Sequence, residues 1–109
     1  MNAVNLTVEV HCLKPSWVNH ERNQRFLNSK YRVYIDNELL TERTWIWNNS
    51  NLLQENIWIY ARSNSTHTII LVPVLNNPGQ AAFTLSNLTV VDQPFTSKQI
   101  NDLTISFTL

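Results

Sequence analysis

The chain has 109 residues, enough for one domain around one hydrophobic core and too few for a core plus an elaborate catalytic superstructure. Eight basic residues balance eight acidic ones, and only 15% of the chain is charged, so the basic footprint of a nucleic-acid-binding protein is missing and nucleic acid is not expected as a partner. A weakly charged surface also repels its neighbours little, which suits a protein that works within an assembly.

The first run, Val4 to Val10, alternates Val4, Leu6, Val8 and Val10 with Asn5, Thr7 and Glu9, the period of a half-buried strand. Its start shows no basic and apolar signal-peptide pattern. From Lys14 to Lys30 the chain is polar and irregular, which predicts a long loop with a helical turn around Glu21 to Leu27. Tyr31 to Asp36 reads as a strand, and Asp36-Asn37-Glu38 supplies turn chemistry leading into Leu39 to Trp47, so a hairpin is predicted. Asn48 to Asn51 breaks the pattern before a strand over Asn56 to Arg62. Ser63-Asn64-Ser65 is a tight connection to Thr66 to Val74, whose Ile69, Ile70, Leu71 and Val72 are apolar on both faces and predict a central strand. Asn76-Asn77-Pro78-Gly79 is a strong turn, and strands over Ala82 to Val91 and Leu103 to Leu109 complete the set. About seven short strands without a sustained helical period predict a single all-β domain spanning 1–109, an antiparallel β-sandwich of jelly-roll-like arrangement.

Glycine occurs once, at Gly79, against fifteen asparagines. Asparagine tolerates the left-handed backbone that turns require and is expected to stand in for glycine. The single Cys12 cannot form an intrachain disulfide and reads as a small buried apolar residue. No stretch approaches the length of a membrane span, so no membrane partner is expected.

Catalytic constellations are scarce. His11, His20 and His67 lack the i, i+2 or i, i+4 company of metal ligands. His11 and Cys12 are adjacent and point to opposite faces of a strand. Among Asp36, Glu38, Glu42, Glu55, Asp92 and Asp102, no spacing singles out a carboxylate pair. Glu42 is expected to pair across the hairpin with Arg32, and either Glu42 or Arg43, on opposite strand faces, can point inward. No enzyme, cofactor or metal site is predicted.

The prominent feature is the aromatic group Tyr34, Trp45, Trp47, Trp58 and Tyr60. Ile57 and Ile59 alternate with Trp58 and Tyr60, so both faces of that strand are apolar and a single small core cannot cover both. If the hairpin pairs with this strand, several rings line one sheet face. They then serve as core, as anchors at a subunit interface, or as platforms that stack on sugar rings.

The stretch Val33 to Trp47, VYIDNELLTERTWIW, followed by LLQENIWIY and then by THTIILVPV and AAFTLSNLTV, resembles small β-sandwich virion proteins of tailed bacteriophages, cyanophages in particular. The resemblance spans Tyr31 to Val91. It implies a decoration or cement protein that bridges capsid subunits, or another accessory virion component, made in the bacterial cytoplasm and carrying no catalytic residues. Capsid or other virion proteins, and further copies of the chain, are the implied partners. Sugar-binding sandwich modules share a similar V-x-I-D-N-E pattern, which makes recognition of a glycan through exposed Trp and Tyr the alternative.

Overall fold

Two sheets arise because most strands carry one apolar face that must be buried against another. The computed structural model describes residues 1–13, 30–45, 52–74 and 82–109. The predicted helical turn at Glu21 to Leu27, the Asn76 to Gly79 turn, His20 and Trp47 lie outside the described residues.

Eight strands run in the order β1 (Asn2–Leu13), β2 (Lys30–Ile35), β3 (Glu38–Thr44), β4 (Leu52–Ala61), β5 (Thr66–Val74), β6 (Ala82–Val90), β7 (Thr96–Asn101) and β8 (Thr104–Thr108). They form a three-stranded sheet ordered β4-β1-β6 and a five-stranded sheet ordered β3-β2-β5-β8-β7, and every pairing is antiparallel. The fold is therefore the expected β-sandwich. The added strand is β7, whose six residues are all exposed and so carry no alternation from which a strand could be read.

The terminal strands β1 and β8 both lie inside their sheets, so neither presents unpaired backbone along an edge. The hairpin β2–β3 does not pair with β4. It joins β5 in the larger sheet, while β4 pairs with β1 in the smaller one.

The core is the sum of the inward positions. Val4, Leu6, Val8, Val10 and Cys12 of β1 meet Tyr31, Val33 and Ile35 of β2, Ile69 and Leu71 of β5, and Ile105 and Phe107 of β8. Interior side chains with 0% exposure, such as Leu6, Val8 and Val33, each contribute roughly 1.5–3 kcal/mol by leaving water. Around one end of this core, Tyr31, Trp45 and Phe83 form an aromatic cluster, with the Tyr31 and Phe83 ring centroids 5.2 Å apart in an edge arrangement and those of Trp45 and Phe83 6.0 Å apart. Such contacts add about 0.5–1.5 kcal/mol each beyond area burial.

Among the described residues five non-glycine positions hold positive φ, namely Asp36, Asn37, Asn64, Asn87 and Asp92. All are Asn or Asp, as expected of a chain that turns with little glycine. Asp36 and Asn37, at φ 51° and 69°, make the two-residue turn whose twist suits a hairpin. Asn87 sits where β6 slips against β1, the two residues between Ser86 and Thr89 opposing the single Val8 between Thr7 and Glu9. That position in a bulge is one that glycine often fills.

Cys12 is fully buried and free, and burial raises its thiol from 9.0 to about 12. The folded protein should not react with Ellman's reagent at pH 8, and denaturant should release one reactive thiol. Because the folded thiol holds its proton more tightly, its contribution to stability is intact below pH 9 and is lost as pH rises toward 12. Rapid labelling of the native protein would contradict this packing.

Candidate functional site

The four predicted aromatic residues that lie among the described residues, Tyr34, Trp45, Trp58 and Tyr60, part company. On β4, Leu53, Glu55, Ile57, Ile59 and Ala61 face inward, and Leu52, Gln54, Asn56, Trp58 and Tyr60 face out. Trp58 is 65% exposed and Tyr60 77%. As i and i+2 on one strand they stand roughly 6.5–7 Å apart along it. Trp45 is 4% exposed and belongs to the core, because the end of β3 turns its indole onto Tyr31 and Phe83. It is not available as an interface or stacking residue. Tyr34 is half-buried on the outer face of the larger sheet, where it lies across from Ile70 and shares a shallow cleft with Val72 and Asn37. It is therefore separate from the Trp58–Tyr60 pair.

Two clefts flank Trp58. One, of about 390 Å³, is lined by Ala3, Asn5, Trp58, Val91, Asp92 and Gln93. Its polar side chains are Asn5, Asp92 and Gln93, and Asn5 is itself oriented by Nδ2 donating to Asn56 Oδ1 at 2.5 Å. The other, of about 230 Å³, lies at the edge between the sheets. Ile35, Leu40 and Ile59 supply its apolar lining, Trp58 and Tyr60 its rings, and Asp36, Glu38 and His67 its polar groups.

The polar rim of the second cleft is fixed by a chain of hydrogen bonds that the sequence did not reveal. Asp36 Oδ1 accepts from the Thr68 backbone N–H at 3.0 Å, and Asp36 Oδ2 lies 2.5 Å from His67 Nδ1. His67 Nε2 is 2.6 Å from Ser65 Oγ, and Ser65 Oγ donates to the Arg62 carbonyl at 2.5 Å. The His67 ring packs on Phe107 with centroids 5.3 Å apart. A carboxylate, imidazole and hydroxyl in this order also occur in acyl-transfer triads. Here the Ser65 hydroxyl hydrogen is claimed by a carbonyl. The nearest backbone donors are engaged as well, Asn64 N–H with the Leu109 carbonyl and Ser65 N–H with the Arg62 carbonyl. With its donors committed, this arrangement fastens the Asp36 turn to β5.

A second polar constellation is buried. Glu55 is 3% exposed because its position on β4 has the same parity as Ile57 and Ile59. Its Oε1 accepts from the Tyr31 hydroxyl at 2.5 Å and from Arg43 Nε at 2.5 Å, and its Oε2 accepts from Arg43 Nη2 at 3.0 Å. Tyr31 and Arg43 are cross-strand neighbours on β2 and β3, so the bond runs from the edge of one sheet to the edge of the other. The hydrogen bond from Arg43 to Glu55 raises the guanidinium above its ordinary value. Burial first, and then the bond to Glu55, raises the Tyr31 phenol far above its own. On the outer side of the hairpin, Arg32 Nε lies 3.3 Å from Glu42 Oε1, as predicted, and Arg43 is the residue of that pair that turns inward. His11 occupies the solvent face of β1, 3.5 Å from Glu9.

Among the described residues no group of three or more His, Cys, Asp or Glu could hold a metal ion, and no helix is long and apolar enough to cross a membrane. No family model matches the sequence, and no curated protein or solved structure matches it.

Replacing Arg43 with Ala leaves the Glu55 carboxylate buried with one partner. Because Arg43 itself is partly exposed, the expected cost is about 1–3 kcal/mol, below that of a fully buried pair. Tyr31→Phe should cost roughly 1–2 kcal/mol by removing a charge-assisted bond. The folded phenol holds its proton more tightly than the unfolded one, so stability from Tyr31 is intact below pH 10 and falls as pH rises beyond it. Urea unfolding of the wild type and Tyr31→Phe from pH 8 to 11 checks both points, with a shallower alkaline loss expected in the variant. Identical pH profiles would show that the buried phenol is not linked to stability.

Proposed function

We propose that this chain is a non-enzymatic docking module whose working surface is the solvent face of β4, with Trp58 and Tyr60 as its anchors. The observation that carries the reading is their exposure, 65% and 77%, on a strand whose opposite face packs against the core. Exposed single hydrophobic residues are ordinary. Two large rings side by side, flanked by clefts on both sides, are the composition that anchors interfaces. Covering them contributes roughly 2–4 kcal/mol per ring before the costs of association.

The resemblance to accessory virion proteins of tailed phages supplies the setting. The partner is the outer surface of a capsid or other virion component, and the module acts by bridging neighbouring subunits as a decoration or cement protein. A chain of zero formal net charge meets such a surface with little electrostatic steering, so apolar burial carries the affinity. The cleft formed by Asn5, Asp92 and Gln93 against the Trp58 ring favours a second reading, recognition of a polysaccharide by stacking and amide hydrogen bonds.

The double variant Trp58→Ala, Tyr60→Ala should lose less than about 1 kcal/mol in urea unfolding, since neither ring is core. The same variant should lose retention on immobilised tailed-phage capsids by at least about tenfold. Retention on bacterial polysaccharides, abolished by the same changes, would replace the virion reading with the glycan one. A variant that unfolds, or binding that the two changes leave untouched, would remove this face from the function.

A further inference from the structure

We propose that the cleft between the Asp36 turn and β4 is a socket for a basic side chain, arginine or lysine, presented by the protein partner. This inference rests on the docking role of Trp58 and Tyr60 and adds the chemistry of what they receive.

The exposed Glu38 carboxylate, the open acceptor sites of Asp36 and the rings of Trp58 and Tyr60 all favour a cation. Asp36 and Glu38 are exposed carboxylates on its rim, and Trp58 and Tyr60 are exposed rings on its wall. Carboxylates attract cations directly, and aromatic faces attract them through the ring quadrupole. The polar group of opposite capacity is His67, yet its two ring nitrogens already face Asp36 and Ser65. It therefore offers no donor to an incoming anion or carbonyl.

The shape agrees with the charge. A volume of about 230 Å³ accommodates one long side chain. Leu40 and Ile59, each half-buried, give its methylene stem an apolar wall while the charged head meets the carboxylates and rings. The Asp36 carboxylate is also held in place before any ligand arrives. One oxygen is fixed by the Thr68 N–H and the other by His67, and the backbone beneath is a two-residue turn. Each oxygen retains a second lone pair, and the side chain is 50% exposed, so it can accept a further bond with little ordering cost. A sugar could use the same rings, but a neutral ligand gains little from the exposed Glu38 carboxylate.

The test uses the full chain, labelled with 15N, and small probes that differ in charge alone. N-acetyl-arginine amide and N-acetyl-lysine amide should shift the Trp58 indole and the Glu38 amide resonances saturably, and added salt should weaken the response. N-acetyl-citrulline amide, the neutral counterpart of the arginine probe, should bind at least about tenfold more weakly. Glu38→Gln should reduce affinity for the arginine probe several-fold while leaving the remaining spectrum in place. It is the preferred variant because Asp36 also fastens the turn. Equal responses to arginine and citrulline, or saturation by methyl glycosides without saturation by arginine, would overturn the socket. If the socket fails while the Trp58 and Tyr60 changes still abolish capsid retention, the docking role stands and only the cationic occupant is wrong.

Discussion

The carboxylate of Glu55 is the constraint on which the arrangement of this protein turns. A charge buried to 3% exposure is costly unless its acceptor sites are filled, and here Tyr31 and Arg43 both donate to it. Those donors come from the opposite sheet, so the carboxylate is satisfied in one register only. Slipping β4 by one residue would send Glu55 into solvent and turn Asn56 and Trp58 toward the core, reversing both faces of the strand. Together with Ile57, Ile59 and Ala61 on the same face, the ion pair favours the one parity of β4 in which Trp58 and Tyr60 point outward.

The opposite edge of the sandwich is stitched by different chemistry. Gln99 Nε2 on β7 donates to the Leu85 carbonyl on β6 at 2.8 Å, and the Leu85 N–H donates to the Asp102 carbonyl at 2.7 Å. Each link joins a strand of the smaller sheet to the edge region of the larger one, where a short sandwich would otherwise present unpaired backbone. The Asp36–His67–Ser65 chain adds a third fastening, holding the hairpin turn against β5 beside the aromatic face. Function and fold meet at that corner, because the groups that rigidify the turn also form the rim of the cleft.

How much of this could be read from the sequence depended on whether a residue's partner was local. The alternation from Val4 to Val10, the Asp36-Asn37 turn and the doubly apolar Ile69 to Val72 run each report their own surroundings, so the sequence predicts strands at the first and last and a hairpin turn at the second. The pairing of Arg32 with Glu42 follows from hairpin register and was legible for the same reason. β7 was not, since an edge strand with six exposed residues has no buried face to pattern. Glu55 was hidden differently. Parity with Ile57 and Ile59 places it inward, but a lone carboxylate there argues against burial until Arg43, on the other sheet, is known to reach it. Trp45 and Trp58 are equally apolar in sequence, and only the sheet order separates core from surface. His67 and Asp36 lie 31 residues apart and meet because β2 pairs with β5.

Solvent relaxation of the indole N–H signals reads out which side chains of β4 face water. A soluble paramagnetic agent would be added to the 15N-labelled chain, with each tryptophan assigned by its Trp→Phe variant. The Trp58 indole should broaden strongly while that of Trp45 stays sharp. Protection of Trp58 would mean that the two faces of β4 are reversed and that Trp58 and Tyr60 are not the docking surface, and strong broadening of Trp45 would remove its indole from the core.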